Sequence, residues 1–240
     1  VEQGGHEIKV IDSCANQYNL EVTLNMVNEF KPDIVIEDTS TASIHEDVRT
    51  AEEIKKIFPN TLICLMGTHP SSLPEETLRL SESVDCVAVG EADLTCLDIA
   101  NKFKNISENY DDAMSSINGL VFRDSSDKII TNKARELNPD LDSLPFVSEI
   151  YSRYLNIDEY FFAACDYPEV QIMTSRGCVA RCTYCVYPYA MHGLKYRKRS
   201  AENIADEYGK KELLNFGARE DNLADAPYVV GLKTKILDAP

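Results

Sequence analysis

The fold is decided by one stretch of sequence, TLICLMGTHPSSLPEETLRLSESVDCVAVG, residues 61–90. It holds two short runs rich in branched apolar residues, at 61–67 and 84–90, and neither alternates cleanly between apolar and polar side chains. Such runs are typical of strands that are buried on both faces of a parallel sheet. Between them, Pro74 and Glu75 suit the first turn of a helix. The stretch therefore predicts a strand–helix–strand unit.

The same alternation extends outward from this unit. Two further runs, HEIKVID (6–12) and PDIVIED (32–38), precede it, and a hairpin pattern at 117–132 follows it. One helical pattern begins at a capping box, Ser43-Ile-His-Glu46, and another covers 94–103. Because parallel strands joined by helices require right-handed crossovers, the first half predicts an α/β fold with a doubly wound, Rossmann-like parallel sheet.

Composition and charge narrow the class of protein. The chain has 240 residues, 44% of them hydrophobic, with a net charge of −16, so it is globular and nucleic acid is an unlikely partner. No apolar run approaches the roughly 18 residues of a membrane span. Eight cysteines are too few for a disulfide scaffold. Without a secretory signal, we expect reduced thiols and a cytoplasmic location. Because a strand-like run follows closely on Val1, we expect a fragment.

Small and hydroxylated residues recur where the predicted parallel strands end. They follow three successive strands: Thr39, Ser40 and Thr41; Gly67 and His69; Gly90 and Glu91. Ligands of open α/β sheets bind beyond these carboxyl ends, and this composition suits a large polar cofactor. The alternative is that glycines and hydroxyls simply end strands and cap helices.

The second half carries a cysteine motif in EVQIMTSRGCVARCTYC, residues 169–185. A predicted strand, 170–174, leads into Cys178, Cys182 and Cys185, which are spaced C-x3-C-x2-C. Three thiolates on one loop can bind three irons of a [4Fe–4S] cluster and leave the fourth iron open. A structural zinc site that also uses His192 is the alternative, although its spacing matches no common zinc pattern.

The cysteine motif after a strand resembles the signature of the radical S-adenosylmethionine (SAM) superfamily. Tyr184, just before the last cysteine, matches that family's aromatic position, which lies against the adenine of SAM. The continuation also resembles the subgroup with an N-terminal cobalamin (B12)-binding domain, since Lys195, Arg197 and Arg199 precede Ser200, a good helix N-cap. A Leu141-Asp-Ser-Leu-Pro145 linker after an α/β half fits the same subgroup.

The resemblance implies three regions. These are a cobalamin-binding-like α/β domain with its hairpin at 1–135, a linker at 136–168, and the incomplete start of a partial (β/α) radical SAM barrel at 169–240. It implies a [4Fe–4S] cluster on the three cysteines, SAM and cobalamin as cofactors, and cobalamin contacts from the three loops at the strand ends. A small-molecule substrate and an electron donor such as flavodoxin or ferredoxin are the implied partners.

The implied chemistry is radical methylation of an organic substrate, or a cyclisation as in anaerobic magnesium-protoporphyrin monomethyl ester cyclase. The cobalt-ligand motif D-x-H-x-x-G would lie upstream of Val1, and residues 218–240 do not resemble the family's second barrel unit. We therefore expect this chain to be incomplete for activity. Two alternatives stay open: a radical SAM methylthiotransferase-like protein, and a non-catalytic α/β cofactor-binding module with a structural zinc site.

Overall fold

The computed structural model describes residues 1–160 and 171–209. The chain divides into two compact units. The first comprises Val1–Ile8, Leu20–Asn138 and Gly177–Tyr196. The second comprises Lys9–Asn19, Pro139–Arg176 and Arg197–Pro240. The end of the predicted linker, residues 161–168, and the tail at 218–240 lie outside the described residues.

The first unit is built on a five-stranded mixed sheet. Its strands are β1 (Ile34–Asp38), β2 (Leu62–Met66), β3 (Cys86–Ala88), β4 (Leu120–Arg123) and β5 (Ile129–Thr131). They lie in the order β1-β2-β3-β4-β5, with β1, β2 and β3 parallel and the β4–β5 hairpin antiparallel to its neighbours. The Rossmann-like α/β class and the hairpin within 117–132 are confirmed.

Helices cover both faces of this sheet. They are α1 (Leu20–Phe30), α2 (Ile44–Ile57), α3 (Thr68–Ser72), α4 (Pro74–Leu80), α5 (Asp93–Glu108) and α6 (Tyr110–Ser115). On one face, Cys64 and Phe122 pack with Ile99 of α5 and Met114 of α6. Side chains alternate along a strand, so Ile63 points to the opposite face, and it too is fully buried.

Two local expectations for the first half are wrong. Residues 6–12 are not a strand: among the described residues β1 pairs only with β2, and this segment forms no ladder with either. The capping box at Ser43 does not form, although α2 begins directly after it. The Ser43 hydroxyl instead accepts a hydrogen bond from the Ser40 amide at 3.1 Å, so the preceding turn uses the group that would have capped the helix.

The second unit contains short elements. They are α7 (Val147–Tyr154), β6 (Ser175–Arg176), β7 (Arg197–Lys198), α8 (Ala201–Tyr208), and single turns of 3-10 helix at Leu141–Ser143 and Ile157–Glu159. α7 lies within the segment predicted as a linker. The predicted strand 170–174 is wrong for its described residues, 171–174, because the antiparallel ladder with β7 covers only β6. Ser200 caps α8 as expected, accepting a hydrogen bond from the Asn203 amide at 3.1 Å.

In the described part of the chain, every helix is too short or too polar to cross a membrane.

Candidate functional site

The parallel strands β1, β2 and β3 end at the same edge of the sheet, and hydrogen bonds tie their three loops together. The Thr39 amide donates to the Met66 carbonyl at 2.8 Å, which joins the first loop to the end of β2. The Thr41 hydroxyl lies 3.2 Å from Nδ1 of His69. The Gly90 amide donates to the Ser71 hydroxyl at 2.9 Å. The predicted loop residues are therefore brought to one carboxyl edge.

Gly67 shapes this edge. Its φ of 107° lies in the region that favours glycine, and a Cβ there would overlap both the Asp38 carboxylate and the Thr39 carbonyl oxygen. Helix α3 begins at the next residue, so it enters directly beside the end of β1. The sequence predicted a glycine at the end of a strand here. The structure shows in addition that the loop after β2 approaches the loop after β1 closely at this glycine.

His69 is a buried residue of the edge with an unsatisfied polar atom. Its side chain is held through Nδ1 by Thr41, while Nε2 is buried and has no hydrogen-bond partner among the described residues. An unpaired buried nitrogen costs about 1–3 kcal/mol, and a ligand with amide or hydroxyl groups would satisfy it. This orphaned atom fits a large polar cofactor at the edge.

Carboxyl groups with raised pKa values lie at and near the end of β1. Burial, together with the charge of Asp47, raises the pKa of Glu37 to about 8. Burial also raises the pKa of Asp38, and that of Asp47, whose carboxylate accepts a hydrogen bond from the Thr39 hydroxyl. At neutral pH the Glu37 carboxyl is therefore mostly protonated, so this end of the sheet is less negative than its sequence suggests.

The three motif cysteines lie on one loop, Gly177–Tyr196, which we call the cluster loop and which belongs to the first unit. All three thiols are free; Cys178 is exposed, and Cys182 and Cys185 are half-buried. Gly177 begins the loop with a φ of 89°, and a Cβ there would overlap the Lys195 carbonyl oxygen. This positive-φ glycine therefore lets the two ends of the loop approach each other closely.

The cysteines are available as ligands but are not gathered around a point. Among the described residues, no group of three or more His, Cys, Asp or Glu side chains is arranged to hold a metal ion. Neither the cluster set nor the zinc set with His192 is thus preassembled. Three free thiols on one accessible loop still form a donor set that suits iron and sulfide. Tyr184, the predicted adenine contact, is 90% exposed on the same loop.

His192 has a role that the sequence did not reveal. Its Nδ1 donates to Oε1 of Glu91 at 3.0 Å, and the two side chains are only 15% and 6% exposed. The loop after β3 is therefore bonded to the cluster loop. His192 ends a π-helical turn, Pro188–His192, that packs against α3. In the sequence, Glu91 belongs to the predicted cobalamin edge and His192 to the alternative zinc site.

The fold is an α/β domain whose strand-end loops meet at one carboxyl edge. Comparison with known proteins indicates which proteins it is similar to. Residues 1–100 match the family model described as "B12 binding domain". The N-terminal part of this chain is therefore similar to B12-binding domains, in agreement with the resemblance found in the sequence.

Curated relatives extend the similarity beyond that domain. An uncharacterised methyltransferase of Pyrococcus horikoshii is 28% identical, over 87% of this chain and 44% of its own length. Cytidylyl-2-hydroxyethylphosphonate methyltransferase of Streptomyces wedmorensis is 24% identical, over 94% and 49%. Anaerobic magnesium-protoporphyrin IX monomethyl ester cyclase of Rubrivivax gelatinosus is 21% identical, over 86% and 36%. The chain thus spans less than half the length of each.

Solved structures show the same fold. The cobalamin-dependent SAM radical enzyme OxsB, with aqua-cobalamin and SAM bound, superposes with a TM-score of 0.65 at 20% identity, over 86% of this chain and 26% of that one. The radical SAM methyltransferase TsrM of Kitasatospora setae, with tryptophan and a SAM analogue bound, gives a TM-score of 0.64 at 16% identity, over 98% and 46%.

Proposed function

We propose that this chain is part of a cobalamin-dependent radical SAM enzyme, and that it contributes the cobalamin site and the cluster-binding loop. The observation that carries the proposal is that the cluster loop and the carboxyl edge belong to one compact unit, bonded through His192 and Glu91. A chemistry that uses both cofactors needs their sites to lie close together, and the two proposed sites belong to the same compact unit.

Cobalamin is assigned to the carboxyl edge. The residues proposed to contact it are Thr39, Ser40, Thr41, Gly67, His69, Gly90 and Glu91. The buried Nε2 of His69 supplies a hydrogen-bonding group for the cofactor's polar substituents. Gly67 keeps the ends of β1 and β2 close together, and the exposed Ser40 and Thr41 offer hydroxyls at the rim. Support comes from the B12 binding domain match over residues 1–100.

The [4Fe–4S] cluster is assigned to Cys178, Cys182 and Cys185, and the adenine of SAM to Tyr184. When bound, a cluster with one open iron would supply the electron for reductive cleavage of SAM. The protein's part is to hold the thiolates and to stack the adenine on an exposed ring.

Methylation of a small organic substrate is the proposed reaction, because two of the three curated relatives are named methyltransferases. Cyclisation is the second candidate, favoured by the relative named as a cyclase. An electron donor such as flavodoxin or ferredoxin would reduce the cluster. The cytoplasm is the proposed compartment, since the described cysteines are all free thiols.

The test is anaerobic reconstitution with iron and sulfide, followed by EPR of the reduced chain with and without SAM. We expect a cluster signal that SAM perturbs in the wild-type chain and no such signal in Cys182→Ala. Cys14→Ala, which removes an exposed cysteine outside the motif, is the matched control and should keep the signal. Tightly bound zinc without sulfide would contradict the proposal and favour a non-catalytic module with a structural zinc site.

A further inference from the structure

A chain of hydrogen bonds runs from the proposed cobalamin edge to the amide of the first motif cysteine. It starts where the Gly90 amide donates to the hydroxyl of Ser71 in α3, at 2.9 Å. Glu91 follows Gly90 directly and accepts from His192 at 3.0 Å. Gly193 follows His192, and its carbonyl accepts from the Cys178 amide at 3.2 Å. Hydrogen bonds and peptide bonds between sequence neighbours alternate along this path, which lies entirely within the first unit.

Of the three hydrogen bonds in this path, only the one between Glu91 and His192 joins two side chains. The two residues lie on different loops. Both are largely buried, so water competes weakly for the carboxylate and the imidazole. The Tyr187 ring lies 5.5 Å from the His192 ring, which restricts the imidazole from the cluster-loop side. A hydrogen bond in such buried surroundings holds the cluster loop in place more firmly than one between exposed side chains would.

We propose that Glu91 and His192 are positioning residues that hold the cluster loop at the carboxyl edge and set the distance between the two cofactors. This inference rests on the proposed function for what the positioning achieves, but the positioning itself concerns only residues of this chain. Losing either side chain should loosen the cluster loop around Gly193, and with it the hydrogen bond of the Cys178 amide, because the bond that ties the loop to Glu91 is lost.

The first test needs no cofactor. Hydrogen–deuterium exchange of the cluster loop is measured in the wild-type chain and in Glu91→Ala, His192→Ala and the reversed pair Glu91→His with His192→Glu. We expect exchange at Cys178 to rise about tenfold in each single variant and to return toward the wild-type rate in the reversed pair. Glu75→Ala, which breaks an exposed ion pair in α4, is the control and should leave the loop unchanged. Single variants that exchange like the wild type would overturn the proposal.

The second test reads the cofactor geometry. Hydroxocobalamin is bound, the cluster is reconstituted, and both are reduced to paramagnetic states. Broadening of the cob(II)alamin EPR signal by the nearby cluster should weaken in His192→Ala at equal occupancy of both cofactors, and the reversed pair should restore it. Unchanged broadening at full occupancy would overturn the positioning role. If the wild-type chain binds neither cofactor, the proposed function fails, and the exchange experiment alone still decides whether the pair holds the loop.

Discussion

The guanidinium of Arg199 and the carboxylate of Glu207 form an ion pair in the second unit, with side chains only 9% and 0% exposed. Arg199 also donates to the Met173 carbonyl at 3.2 Å, and Glu207 accepts from the Ser148 amide at 3.2 Å. The pair therefore ties α7 and α8 to the segment that leads into β6. Arg199, part of a basic stretch in the sequence, is thus engaged within the protein.

Breaking this pair should be costly, because it leaves one buried charge uncompensated. Arg199→Met or Glu207→Gln is expected to lower the free energy of unfolding by about 3 kcal/mol, as measured by urea denaturation followed by far-UV circular dichroism. Arg79→Met removes an exposed partner of Glu75 and should cost less than about 1 kcal/mol. Equal losses in the buried and exposed variants would contradict this interpretation.

Glu37 should make stability depend on pH. Its pKa is about 8 in the folded chain against an ordinary value of 4.5, so below pH 4.5 both folded and unfolded states hold the proton. As pH rises from 4.5 to 8, only the unfolded state releases it, and stability is lost across that window. Glu37→Gln should therefore raise the free energy of unfolding at pH 8 by about 2–4 kcal/mol and change little at pH 4.

The matched control for that titration is Glu76→Gln, because Glu76 is exposed on α4. Its free energy of unfolding should follow the wild-type pH profile throughout. A Glu37→Gln profile parallel to that of the wild type would mean that the Glu37 carboxyl ionises normally in the folded chain.

His69 should contribute to cobalamin affinity. If its buried Nε2 hydrogen-bonds the cofactor, His69→Ala should raise the dissociation constant for hydroxocobalamin about tenfold in an absorbance titration. His45→Ala, in an exposed histidine of α2, is the control and should bind as the wild type does. Equal affinities for the two variants would remove His69 from the proposed site.

The sequence predicted those elements whose burial is evident from their pattern of apolar residues. The strands β2 and β3 were evident because both of their faces are apolar, and their parallel order then implied that Gly67 and Gly90 share an edge. The run at 6–12 also contains Ile and Val, but it includes charged residues and is not a strand, because strand formation needs a neighbouring strand as well as suitable residues.

Pairings between distant residues were beyond the sequence. Glu91 and His192 are 101 positions apart, and nothing in local spacing joins a residue after β3 to one after the cysteine motif. The Ser43 hydroxyl likewise had two possible partners, and only the geometry of the preceding turn favours Ser40 over the helix. The cysteine spacing carries a chemical prediction of its own, because all three thiols lie on a single short loop.

The most direct measurement for the account is the cofactor content of the wild-type chain after anaerobic incubation with iron, sulfide and hydroxocobalamin, followed by desalting. We predict roughly one cobalamin, four irons and four sulfides per chain, which is the stoichiometry of one B12 site and one [4Fe–4S] cluster. A chain that retains neither, and instead holds about one zinc, would contradict the assignment of both sites.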